Sequence, residues 1–346
     1  MEYEGRICRS PMERSAYMLP VAVGCSYNAC LFCGLFKHLK YRELPLAQIE
    51  EEISRVVKAN GNPETVFLGD GNAFGIDYEN MKYCPRPGHA DYTADVKYGG
   101  FQDIAGGGHF SGRLTAPLCI AGGLCKQWLE EMGIRIGAHI VQIGLENSKS
   151  FNYLNPQLDQ VGEIFPTLTA ETADAFQAVI QKARSEGNSV GGRIECAITG
   201  LPAGLGEPMF GGVESKIAQI VYGIPAVKNI GFGWADSFAI VPGSDSNDCF
   251  RMENGNVITE TNHCGGILGG ITTGMPVIFD VTVKPTPSIS RPQQTVNLKT
   301  GEITTLEVKG RHDPCIVPRA VPVVEAAAAI AIYDLILGNT QTDRRK

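Results

Sequence analysis

The chain has 346 residues, of which 43% are hydrophobic and 19% charged, with a formal net charge of -7. That length can bury one large core or two medium ones, and composition alone does not choose between them. The acidic balance gives no electrostatic reason to expect nucleic acid or an anionic membrane surface as a partner.

At the N-terminus, MEYEGRICRS lacks the basic-then-apolar pattern of a secretory signal, and the 11 cysteines show no framework-like spacing. A reduced, cytoplasmic setting is therefore expected. An apolar stretch from Tyr17 to Val23 runs into the cysteines of GCSYNACLFCG, Cys25, Cys30 and Cys33. Leu46, Ile49, Ile53, Val56 and Val57 then recur at helical spacing with glutamates opposite, and Val66, Phe67 and Leu68 read as a short strand before Gly69, Asp70 and Gly71. The order strand, loop, helix, strand is one βα unit and the beginning of a second.

From Asp77 onward, glycine-rich loops alternate with helices expected at Leu118 to Met132 and Thr169 to Glu186. Strands are expected at Ala138 to Ile143, Gly192 to Thr199, Phe238 to Val241 and Val277 to Val283, with a hairpin near Asn297 to Glu307. The mixture predicts an α+β fold with helices packed on antiparallel sheet. An apolar run from Val321 to Leu337 carries Glu325 and Asp334, falls short of the roughly 20 residues that span a bilayer, and reads as a buried helix. The tail Asn339 to Lys346 is polar and is expected to fray.

Four segments carry a family pattern: PRPGHADYTADVKYG (Pro85 to Gly99), GGRIECAITGLPAGLGEP (Gly191 to Pro208), GGILGGITTGMPV with KPTPSI (Gly265 to Ile289), and RHDPCIVPRAVPVVEAAAAIAIYDLIL (Arg311 to Leu337). In this order they resemble chorismate synthase over residues 77 to 338. Residues 1 to 76 instead resemble the start of a radical S-adenosylmethionine enzyme, so the chain reads as an incomplete βα fragment joined to a chorismate synthase-like domain, with residues 339 to 346 as a polar tail. The chorismate synthase opening, which carries a further catalytic histidine, is not found, and slow turnover is expected on that ground.

The resemblance implies conversion of 5-enolpyruvylshikimate 3-phosphate to chorismate and phosphate with reduced FMN, in a homotetramer. His89, between Arg86 and Asp91, would carry a proton beside the departing phosphate, although a lone histidine is more often structural. Arg86 would bind the substrate phosphate bidentately. The Gly106–Gly108 run lets backbone amides face an anion, and His109, Phe110, Ser111 and Arg113 would reach the flavin. Lys284, Pro285, Thr286, Pro287 and Ser288 suit the flavin phosphate and ribityl chain, Gly270 a close backbone approach, and Pro225 and Ala226 a further contact. Arg311 would neutralise a phosphate or flavin charge and Asp313 would hand on a ring proton, the plainer alternative being a surface ion pair.

For Cys25, Cys30 and Cys33 the second resemblance implies a four-iron four-sulfur cluster whose open iron holds S-adenosylmethionine. A zinc site and three unrelated buried thiols are the alternatives at this spacing. A radical S-adenosylmethionine protein, or an inactive hybrid, is thus the rival reading of the whole chain.

Overall fold

The computed structural model describes residues 17–20, 22–23, 42–43, 46–58, 66–69, 82–102, 105–308 and 312–343. In the first part, β1 (Tyr17–Pro20) pairs in parallel with β4 (Val66–Gly69), and β2 (Ala22–Val23) pairs antiparallel with β3 (Arg42–Glu43). Helix α1 (Leu46–Lys58) lies between β1 and β4 in the chain, as a parallel crossover requires. The β1–β4 pair is a sheet of its own and adds no strand to the main sheet. Cys25, Cys30, Cys33, Asp70 and Gly71 lie outside the described residues.

The main sheet has five strands, all antiparallel: β5 (Arg135–Ile143), β6 (Glu146–Asn147), β7 (Gly192–Thr199), β8 (Val227–Phe232) and β13 (Val277–Val283), in the order β6-β5-β7-β13-β8. Its central strands are largely buried, β7 and β13 being rich in β-branched and other apolar residues interrupted by Glu195 and Asp280. One face packs against α3 (Thr115–Glu131), α5 (Val213–Val221) and the last helix, α6 (Val317–Asp343), within a single apolar cluster. The other face is covered by loop residues, with Phe151, Tyr153, Leu158 and Leu168 around Ala197 and Ile278.

Local chemistry sets the helix ends. The Thr169 hydroxyl accepts the Thr172 amide at 3.3 Å to start α4 (Ala170–Ser185), and Gly187, with φ of 63°, turns the chain out of it. Between α3 and α6 the backbones approach closely: a β-carbon at Gly122 would stand 2.4 Å from Ala326 Cα. The alanines of α6 supply the shallow surface for that approach, with Ala327, Ala328 and Ala329 fully buried.

Glu325, the charge inside this apolar helix, has a defined task. Its Oε1 accepts the Ala138 amide at 2.8 Å and its Oε2 accepts Lys126 Nζ at 2.6 Å. The Ile140 amide, two residues along the same side of β5, donates to the Pro166 carbonyl at 2.8 Å. The outer edge of β5, which β6 covers only at Gln142 and Ile143, is thereby hydrogen-bonded at Ala138 and Ile140 by a side chain and a loop.

Three expectations are corrected. Phe238 to Val241 is not a strand: Ala235–Ile240 coils as a 3-10 helix after Gly233 and Ala235 turn the chain through φ of 57° and 44°. The free side of β13 is taken by β8 instead. The C-terminal apolar helix is also longer than expected, 27 residues, and Val317–Asn339 has the length and composition to cross a membrane. In this fold its apolar side is core, with Val324 and Ile332 fully buried. Helix α6 therefore runs on to Asp343, through most of the tail expected to fray.

Among the described residues beyond β8, three hairpins lie outside the main sheet, the shortest being β11 (Ile267–Leu268) with β12 (Ile271–Thr272). β9 (Phe250–Glu253) pairs with β10 (Asn256–Thr259), and β14 (Gln293–Val296) pairs with β15 (Ile303–Leu306) in the region expected for a hairpin.

Candidate active site

The RPGHAD segment folds as a tight turn leading into α2 (Asp91–Tyr98), with the His89 amide on the Arg86 carbonyl at 3.1 Å. Asp91, at the start of α2, is 7% exposed. Its Oδ2 accepts Arg86 Nε at 2.7 Å and its Oδ1 accepts Arg86 Nη2 at 2.8 Å and His89 Nδ1 at 2.6 Å. Burial pushes the Asp91 carboxyl up, but the hydrogen bonds and charges of Arg86 and His89 outweigh it and hold the group far below the usual carboxylate range.

The loop after β13 closes over this turn. Arg86 Nη1 donates to Ser288 Oγ at 3.1 Å, and Lys284 Nζ donates to the Gly88 carbonyl. A β-carbon at Gly88 would sit 3.6 Å from Pro287 Cβ, so the two loops are in contact. The Lys284 amide donates in turn to the Ala226 carbonyl at 2.9 Å, which ties Pro225 and Ala226 to the same end of the sheet. Ala226 holds a φ of 72°, in a region an L-residue rarely occupies, so this contact fixes a strained backbone.

The glycine run forms the opposite wall. In the 3-10 helix Ala105–Phe110, Gly107 has φ of 91°, and a β-carbon there would lie 3.7 Å from His89 Nε2 and 3.6 Å from Ser111 Cβ. Only glycine both accepts this backbone and leaves the imidazole edge uncovered. Ser111 Oγ accepts the Arg113 amide at 3.3 Å, and His109 and Phe110 are exposed on the same turn.

Arg86, His89, Ser111, Ala226, Lys284, Pro287 and Ser288 thus come together from four distant stretches of sequence. The Nε–Nη2 edge of Arg86 is already spent on Asp91, so the expected two-pronged grip on a phosphate is left to its outer nitrogens. Asp313 is in a neighbouring place. It lies in a cavity of about 460 Å³ with Ile289, Ser290 and His312, and its Oδ2 accepts Arg319 Nη1 at 2.5 Å. Asp313 is thus paired with Arg319, a partner the sequence did not suggest, and residues 284–290 run from the His89 cluster to the Asp313 cavity.

Gly270 stands apart, in the turn between β11 (Ile267–Leu268) and β12 (Ile271–Thr272). A β-carbon there would be 2.5 Å from the Glu207 carbonyl oxygen, so its contacts are with the loop before α5. Arg311 lies outside the described residues. The sequence reading placed Asp91 beside Arg86 and His89 and assigned it no role. The signal that could have found it was the spacing, which sets one carboxylate two residues from an imidazole and five from a guanidinium.

A second titratable group crosses the sheet. His139, Glu195 and Asp280 occupy one row of β5, β7 and β13, with His139 Nε2 at 3.2 Å from Glu195 Oε2. Glu195 Oε2 also accepts the Phe151 amide at 2.6 Å, and Tyr153 Oη donates to Oε1 at 3.3 Å. Burial, then Glu195 and Asp236, push the Asp280 carboxyl up to about 6, with Arg193 opposing. Among the described residues, no group of three or more His, Cys, Asp and Glu side chains gathers as a metal site.

An antiparallel sheet with helices on one face carries at one end a basic cluster of Arg86, His89 and Lys284 walled by the Gly107 turn, the kind of side-chain set that enzymes use. The sequence pattern of chorismate synthase matches residues 49–337, starting inside α1, upstream of the boundary at 77 expected from the motifs. The chain is 45% identical over 291 residues to a chorismate synthase of Lancefieldella parvula, covering 80% of this chain and 77% of that one. It is 46% identical over 282 residues to the enzyme of Thermococcus gammatolerans and 43% over 285 to that of Korarchaeum cryptofilum, with the same coverage. A crystal structure of chorismate synthase superposes with a TM-score of 0.59 at 27% identity, over 72% of this chain and 71% of that one. The chain belongs to the chorismate synthase family, whose members are lyases.

Proposed function

We propose that this protein converts 5-enolpyruvylshikimate 3-phosphate to chorismate and inorganic phosphate, with reduced FMN bound beside the substrate. The observation that carries the reading is the His89 imidazole. It is anchored at Nδ1 by Asp91, open at Nε2, and set among Arg86, Lys284 and a glycine turn. The elimination breaks the ring carbon–oxygen bond to phosphate and removes a ring hydrogen, leaving a diene with no net redox change. The His89 ring, doubly protonated with its Nδ1–H held by Asp91, gives up its Nε2 proton where the leaving phosphate gathers charge, and Lys284 and the outer nitrogens of Arg86 offset that charge. Asp313, held by Arg319, takes on the proton lost from the ring.

The pocket suits the flavin. Thr286 Oγ1 is buried with no hydrogen-bond partner among the described residues, and Lys284 and Ser288 flank it on a proline-stiffened loop. Lys284, Pro285, Thr286, Pro287 and Ser288 would hold its phosphate and ribityl chain. Pro225, Ala226, His109, Phe110, Ser111 and Arg113 would line the rest, with Gly270 and Arg311 as outer contacts. When bound, reduced FMN supplies the electron chemistry that the side chains lack.

Anaerobic chorismate formation with reduced FMN tests the reading. His89→Ala should lose about 10²- to 10⁴-fold in rate. An unchanged rate in that variant, or no chorismate from the wild type, would refute it. The reading includes a homotetramer in a cytoplasmic setting, checked by light scattering.

A second reading applies to residues 1–76 alone. The parallel β1–β4 pair with α1 between them is the opening a radical S-adenosylmethionine fold would have, and Cys25, Cys30 and Cys33 would then ligate a four-iron cluster. Iron and sulfide analysis of anaerobically purified protein decides it, since protein without iron excludes the cluster.

A further inference from the structure

We infer that Asp91 positions the proton-transfer group: its buried carboxylate fixes the His89 tautomer so that Nε2 is the working atom, and it locks Arg86 beside that ring. The inference rests on the proposed reaction and deepens it by naming a residue that acts through two others.

Four donors converge on the two oxygens of Asp91. Oδ1 receives Arg86 Nη2 at 2.8 Å and His89 Nδ1 at 2.6 Å, while Oδ2 receives Arg86 Nε at 2.7 Å and the Arg86 amide at 3.0 Å. A carboxylate so filled, and 7% exposed, has little left to offer a ligand. A separation of 2.6 Å from an acceptor-only carboxylate puts the proton on Nδ1. Arg86 Nη2, 3.2 Å from that same nitrogen, is itself a donor and cannot bond to a protonated Nδ1, so it is directed to Oδ1.

The lone pair of the neutral ring then lies on Nε2, the edge that faces Gly107. An asparagine in place of Asp91 could offer its amide hydrogens to Nδ1, which pins the ring in a neutral Nε2–H form and removes the carboxylate that holds Nδ1–H when the ring is doubly protonated, the form that gives up a proton at Nε2. It would also loosen Arg86 from Ser288, because the guanidinium would lose its charged anchor.

Isotope-labelled protein tests this through the ring-nitrogen resonances of His89, assigned by their absence in His89→Gln. In its neutral form the wild-type ring should show protonated Nδ1 and unprotonated Nε2. Asp91→Asn should shift the ring to the Nε2–H form and lower kcat about 10²-fold. Asp91→Glu should restore the Nδ1–H form and recover part of the rate, which a purely structural role would not require. A neutral Nε2–H ring in the wild type, or an Asp91→Asn protein with unchanged tautomer and kcat, would overturn the inference. Should Asp91→Asn fail to fold, the wild-type resonances still decide. An Nδ1–H ring in a wild type that forms no chorismate would sink the proposed reaction and leave the tautomer assignment standing.

Discussion

Asp280→Asn should make the protein more stable at alkaline pH and leave it unchanged in acid. Asp280 sits in mid-strand on β13, opposite Glu195 on one side and Gly231 on the other. Its carboxyl titrates at about 6, against 3.8 for an unperturbed aspartate. Burial is the first cause, and Arg193 does not reverse it, because its Nε stands 4.0 Å from Oδ2, beyond hydrogen-bond reach. A pKa that is higher folded than unfolded means the native state binds this proton more tightly. Below the unfolded value the acid is protonated in both states and its contribution is fully present. That contribution is lost as pH rises through the folded value, when the sheet must hold a buried charge. At about 1.4 kcal/mol per pKa unit, the fold carries a penalty of about 2–3 kcal/mol near pH 8 that a neutral carboxamide escapes. Urea unfolding at several pH values measures it: the two stability curves should meet near pH ~4 and separate by that amount near pH ~8. An Asp280→Asn protein less stable than wild type in alkali, or a difference independent of pH, would refute the reasoning.

Two further substitutions probe the layer between sheet and helices. Gly122→Ala puts a methyl 2.4 Å from Ala326 Cα, a backbone atom that no rotamer change can move. Even after the helix-propensity gain, the urea midpoint should fall by the equivalent of about 1–3 kcal/mol. Glu325→Ala strands the Ala138 amide and Lys126 and should cost about 2–4 kcal/mol in the same assay, with Glu325→Gln milder because its carbonyl can still accept the amide.

Elements buried on both faces were the most legible in the sequence. β7 and β13 occupy the spans expected, since short runs rich in β-branched residues and bounded by glycine or proline have few other uses at that length. β8 was not anticipated because Lys228 and Asn229 interrupt its pattern. Both are exposed at the sheet's edge, where only one flank of the strand is paired. Phe238 to Val241 had strand composition but pairs with no strand among the described residues, and composition carries no information about pairing partners. At the site, the motifs identified His89 and the loop at Lys284. They could not show that Asp91 consumes one edge of Arg86, or that Asp313 sits with Arg319 in the adjoining cavity, because both depend on side-chain direction.

The closed edge of β5 bears on how the chain is made. The acceptor that satisfies the Ala138 amide comes from Glu325, 187 positions later. During synthesis β5, β7 and β13 all emerge before that carboxylate exists, so a nascent sheet passes through a stage with an open strand edge on the ribosome. Docking of the last helix ends this stage, which makes the C-terminal residues the closing step of assembly. A chain truncated before Glu325 would keep its sheet-forming sequence and present that edge to its neighbours, favouring aggregates over a smaller native protein.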